Sequence, residues 1–287
     1  MLNYTEQLWR LMHDVVRHVP KLSFIDTQEL FVFARHGRTG ADGAFATCHS
    51  LTLPESEPGY YFWRDRATGS LTRRSEWFVT KTPEVRIEGN RIKYLISFVL
   101  PRFCEQTLAH SRKAEFYAAN TEPWIAKLDT VVHELYHIDP QAEGLRKFLA
   151  ADGKRVERSH GPGFYEQVAE MVQLYLASQP DARRYEFLKY DFSGLRARHG
   201  TVVCTTFRNF PSFPQRYIEP LSEQPPEPVA ADLPVEPIRR CSQPSLYTEQ
   251  DVAFREFTGS GTRRHARPVP EIGAAGRTPF SNPEILH

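Results

Sequence analysis

Paired cysteines, long apolar runs and a one-sided charge are what this chain lacks. Only four of its 287 residues are cysteine, and Cys48, Cys104, Cys204 and Cys241 stand far apart with no C-x-x-C pair. That spacing excludes a disulfide scaffold and a cysteine zinc ribbon, and it fits reduced thiols in a cytoplasmic protein. Nowhere do about eighteen apolar residues run together, so no membrane span is expected. The opening stretch, MLNYTEQLWRLMHDVVRHVPKL, interrupts its apolar residues with acids and histidines and so lacks the apolar centre of a signal peptide. A net charge of +1 argues against a globally basic nucleic-acid binder. Apolar and charged contents of 40% and 25% are ordinary for a soluble globular protein.

What is present divides the chain into regions. Leu8, Leu11, Met12, Val15, Val16 and Val19 follow the i, i+3, i+4 rhythm of an amphipathic helix that stops at Pro20. From about 30 to 100 come short aromatic or β-branched runs separated by turns: LFVFARHG, GAFATCHSLTL, GYYFWRD, EWFVTK and RIKYLISFVL. In the last of these, Ile92, Tyr94, Ile96, Phe98 and Leu100 alternate like a half-buried strand. A mainly antiparallel sheet is expected. Trp124, Ile125, Leu128, Val131, Val132 and Leu135 form a second helical stripe, ended by Pro140. A third helix follows SHGPG and runs to about Ser178, with Phe164, Val168, Met171, Val172 and Tyr175 buried and Pro162 in its first turn. GTVVCTTF then reads as a short strand. Eleven of the 22 prolines lie from Pro220 onward, which predicts a folded domain over 1–219 and an extended, proline-rich tail over 220–287. The basic TRRHAR cluster within that tail reads as solvated.

The stretch that carries chemistry is TVVHELYHIDP, residues 130–140. Histidines at i and i+4 stand one above the other on a helix, so His133 and His137 can reach one metal ion. Glu134, one residue on from His133, flanks such an ion and is placed to take a proton from the attacking water as general base. A catalytic zinc takes three protein ligands and keeps one position open. The H-E-x-x-H-x-x-G-x-x-H solution is excluded, because Pro140 and Glu143 occupy its glycine and third-histidine positions. His160, just before the third helix in RSHGPGFYEQ, is the leading candidate for the third ligand. Glu166 and Glu170 remain as alternatives that would give a two-histidine, one-glutamate site. Tyr165, Tyr185, Tyr190, Arg198 and His199 are chemically able to stabilise an oxyanion, and Asp139 to orient a histidine ring or to cap its helix.

HELYH followed by HGPGF resembles the SprT-like zinc metallopeptidases, whose signature is H-E-x-x-H and a downstream H-G-P-x-F, and the related metallopeptidases of phage and prophage genomes. The resemblance covers roughly residues 90 to 178. It implies an α+β fold with a zincin-like core, in which the sheet packs against the active-site helix and the helix after it. It also implies Zn2+ held by His133, His137 and His160, with Glu134 as catalytic base and a protein or peptide as substrate. The RIKYLISFVL strand would lie beside the cleft, where an extended substrate pairs with the sheet edge. Two features differ from that family: no paired cysteines follow residue 178, and the sheet region is longer. The near-neutral charge gives no support for DNA association. A non-proteolytic zinc protein and a nucleic-acid module on a degenerate peptidase core are the alternative readings.

Overall fold

The computed structural model describes residues 1–37, 43–51, 60–64, 68, 71–78, 83–109, 111–141, 144–146, 148–149, 155–156, 160–161, 163–208, 215–220, 245–258 and 266–268. Among them are four α-helices: α1 (Tyr4–His18), α2 (Ile125–Tyr136), α3 (Phe164–Ala177) and α4 (Phe192–His199). The first strands are β1 (Leu2–Asn3), β2 (Leu30–Gly37), β3 (Ala46–Ser50), β4 (Tyr60–Arg64), β5 (Leu71–Phe78), β6 (Pro83–Ile87), β7 (Asn90–Ile92) and β8 (Tyr94–Pro101). Then come β9 (Phe148–Leu149), β10 (Arg155–Val156), β11 (Val202–Phe207), β12 (Gln215–Pro220), β13 (Ser245–Tyr247), β14 (Val252–Phe257) and β15 (Ala266–Pro268). The fold is α+β.

Most strand pairs among the described residues are antiparallel, but they are divided among several small sheets, some mixed, where one sheet was expected. In the sheet that carries the site, the order is β2-β8-β3, with β2 parallel and β3 antiparallel to β8. A second sheet runs β1-β11-β14-β15, with β1 parallel to β11 and the rest antiparallel. β13-β6-β7 and β12-β5-β4 form two three-stranded sheets, and β9 pairs with β10. A parallel pair needs a crossover, and α/β alternation in sequence does not announce one here, because β2 and β8 are separated by strands.

The central sheet is covered on both faces. Leu30, Val32, Ala34, Tyr94, Ile96, Phe98, Leu100, Ala46 and Cys48 point into the main core with α1, α2 and α3. The alternate residues Phe31, Phe33 and Leu95 join Val85, Ile87, Ile92, Tyr247 and Val252 in a second core on the other side. This is the period-2 rule applied twice. β8 is therefore the buried middle strand, not the half-buried strand at the sheet edge that its sequence suggests.

The helices end where local chemistry requires. The Asn3 side chain accepts the Glu6 N–H at 3.3 Å and caps α1, which stops before Pro20. α2 is buried nearly all round, so each polar residue on it needs a partner. Lys127 Nζ donates to the Tyr190 carbonyl at 2.7 Å, and the Asp129 carboxylate accepts from Tyr117 Oη at 2.6 Å. α3 begins at Gly163, which holds φ +70°, a left-handed conformation that glycine adopts without strain.

The extended tail expected over 220–287 is corrected for part of its length. β14 pairs with β11 along six residues and buries Phe257 in the main core, while β13 pairs with β6 and buries Tyr247. Residues 221–244, 259–265 and 269–287, with most of the prolines and most of TRRHAR, lie outside the described residues. No helix among the described residues is long and apolar enough to cross a membrane.

Candidate metal centre

His133 and Glu134 lie in the last turn of α2, and His137 caps it, its N–H bonding back to the His133 carbonyl at 3.3 Å. The chain then folds back. Ile138 bridges to Leu145, Arg146 N–H donates to the His137 carbonyl at 2.6 Å, and Tyr94 Oη donates to the Gly144 carbonyl at 3.1 Å. These bonds fix the end of α2 to the middle strand of the sheet. His160 arrives from the other side, immediately before α3. Gly161 makes that approach feasible: a Cβ there would lie 2.8 Å from Phe148 Cδ1 and closer still to the two ring-root carbons. Phe164, fully buried, places its ring 4.8, 5.1 and 4.7 Å from the rings of His133, His137 and His160. Its side chain is the shared floor of the three imidazoles.

One nitrogen from each ring falls within 4.8 Å of the others, so the three histidines lie close enough to bind a metal ion. His133 Nε2 is 3.1 Å from His137 Nε2 and 3.0 Å from His160 Nε2. A single ring N–H has one proton and cannot make two well-directed bonds, whereas a cation satisfies three lone pairs at once. Two imidazole nitrogens bound at about 2.0–2.1 Å to a tetrahedral ion stand roughly 3.3 Å apart, close to the spacing found here. The electrostatics agree. Burial first, and the neighbouring imidazoles next, hold His133 well below its usual range and bring His137 to about 3. Burial, with Lys113 nearby, also lowers His160. All three are neutral near pH 7, the form that ligates. His133 Nδ1 is buried and has no hydrogen-bond partner among the described residues.

Glu134 is 4% exposed and its carboxyl is pushed up to about 8 by burial, while Lys113 and the backbone N–H of Cys48 pull the other way. That second bond locates the carboxylate against β3. Phe45 and Leu51 make their backbone bonds to β8, so the alternate residues Ala46, Cys48 and Ser50 turn their polar groups outward. Among the described residues no strand pairs with that outer edge. The edge beside α2 is thus β3, in place of the expected RIKYLISFVL strand.

The structure brings His133, Glu134, His137 and His160 together. It leaves Glu166 and Glu170 exposed on α3, outside the cluster. Of the five oxyanion candidates, only Tyr165 is beside the triad, its ring 5.8 Å from His133 and 5.3 Å from His160. Tyr185 stacks on Trp124, and Tyr190 lies under Arg198. Asp139 accepts the Gln141 N–H at 2.9 Å and serves its turn. Sequence reasoning missed Lys113, on the short helical turn Arg112–Phe116. Its ammonium pairs with Asp129 and donates to Thr130 Oγ1 at 3.0 Å. The one available signal was an aspartate and a threonine inside the apolar run of α2, one turn ahead of His133 and Glu134. Comparison of the chain with models of known families, with curated proteins and with solved structures finds no significant match.

Proposed function

We propose that this chain is a zinc-dependent peptidase of the SprT-like kind, with His133, His137 and His160 holding the ion and Glu134 as general base. The observation that carries this reading is the convergence of three neutral imidazoles beside a buried carboxylate on the same helix. A three-histidine set with an open fourth position is the usual catalytic zinc arrangement. When bound, the ion supplies Lewis-acid polarisation of a carbonyl and makes water a nucleophile near neutral pH.

The chain's own groups do the rest. Ionised Glu134 takes the proton of the attacking water and passes it to the leaving amine. Its burial raises its affinity for that proton, and Lys113 with the Cys48 N–H keeps the ionised form accessible. The packing of α2 against β3, where the Cys48 N–H meets the Glu134 carboxylate, supports a zincin-like core.

The test is zinc per chain by elemental analysis of the protein and of His160→Ala. About one zinc in the first and strongly reduced zinc in the second supports the three-histidine site. Zinc unchanged by the substitution removes His160 from the ligand set and with it the SprT-like reading. Glu134→Gln separates peptidase from metal-holding protein: the peptidase reading expects it to keep zinc and to lose peptide hydrolysis.

A further inference from the structure

One cation near the triad enters the reading above only through its charge on Glu134. Lys113 is 13% exposed at its side chain and pairs with Asp129, which is 2% exposed. Its hydrogen bond goes to Thr130 Oγ1 at 3.0 Å. Asp129 and Thr130 stand four residues ahead of His133 and Glu134 respectively, a rise of about 6 Å along the helix axis. Side chains on a helix lean back toward its N-terminus, over the preceding turn. The imidazole of His133 and the carboxyl of Glu134 therefore lean toward the place where Asp129 and Thr130 hold the ammonium. In keeping with that placement, the charge of Lys113 acts on His133, Glu134 and His160, after burial in each case. An ammonium has three N–H donors. One is bonded to Thr130 Oγ1 and the Asp129 contact is an ion pair, which leaves an N–H with no further partner among the described residues.

We propose that Lys113 is the oxyanion-stabilising residue of this site, donating its third N–H to the oxygen that becomes negative as a peptide carbonyl is attacked. The proposal rests on the peptidase reading and deepens it. As the water oxygen bonds to the carbonyl carbon, the π pair of C=O moves onto the carbonyl oxygen and the water proton goes to Glu134. The net new charge lies on that oxygen. A fixed ammonium held by a buried ion pair meets it without reorganisation, which is the condition under which such donors act most strongly.

Inorganic phosphate, a tetrahedral oxyanion, is the probe. It is titrated calorimetrically into the zinc-loaded full chain as wild type, Lys113→Met and Lys113→Arg, with zinc per chain measured on the same samples. Loss of Lys113 alone leaves Asp129 buried and unpaired, so Lys113→Met combined with Asp129→Asn is the companion variant. The expected result is phosphate binding in wild type, about tenfold or more weaker binding in both Met variants at unchanged zinc, and recovery in the Arg variant. Equal phosphate affinity across the set at full zinc overturns the role of Lys113 and leaves the metal site standing. Zinc lost in the Met variants, companion included, also overturns it, making Lys113 a support of the metal face. A wild-type chain that takes up no zinc sinks the peptidase reading itself, and this inference with it.

Discussion

Glu134 shows at the scale of one residue how burial opposes the ionised form that the proposed base requires. Its carboxyl is raised from 4.5 to about 8, first by burial. Below pH 4.5 the group is protonated in folded and unfolded chains alike, so its contribution to stability is fully present. As pH rises through about 8, the folded chain must ionise a buried group that the unfolded chain ionises freely, and that contribution is lost. Metal-free Glu134→Gln has no such loss. Its melting temperature is expected to gain on wild type between pH 5 and 8 and to level off above, by an amount on the order of a few kcal/mol in stability, and a pH-independent difference in calorimetry would contradict this. Gly161 makes a second test. An added methyl there meets the Phe148 ring root, so Gly161→Ala is expected to displace His160 and weaken zinc uptake at least tenfold, read by competition with a chromophoric chelator. The four site residues were legible in the sequence because the i, i+4 spacing of His133 and His137 is local and HGPG marks a helix start. Lys113 was not legible. Its partnership with Thr130 spans 17 positions and follows no period.

At the scale of elements, α2 is a buried helix with a reactive end. Its stripe fills the main core, with Leu128, Val131, Val132 and Leu135 fully buried, and its polar residues each hold another segment in place. Leu128→Ala is expected to cost about 2–5 kcal/mol, seen as a lower denaturant midpoint, while the folded fraction still binds one zinc. Proportional loss of zinc and stability is the contrary outcome, in which the core and the site would move together. α1, α2 and α3 could be read from sequence because apolar stripes, Pro20, Pro140 and the HGPG turn act within a few residues, whereas α4, with no such stripe, was not. The sheet order could not, since alternation in Leu30–Gly37 and Tyr94–Pro101 tells which residues face together but not which strand lies alongside. Leu95 and Ser97, both buried, show the limit: a strand covered on both faces has no polar side to reveal it.

At the scale of the whole molecule, β11 is flanked by β1 on one side and β14 on the other. Proline content alone hid this, because it describes the segment on the way to β13 and β14 and not the strands themselves. Phe257 is 1% exposed within the same core as α1 and α2. A chain shortened after residue 219 is therefore expected to melt at a clearly lower temperature and to expose apolar surface to a hydrophobic dye. An unchanged melting temperature would show that β14 adds nothing to the core it covers.

The place of β14 also sets an order of events during synthesis. Val252–Phe257 is made about a hundred residues after His160, which at roughly 5–20 residues per second is a delay of about 5 to 20 seconds. Once β11 has been made, the nascent chain carries every proposed metal ligand while one edge of β11 stands open. The proposed metal ligands are thus all made before the strand that closes β11.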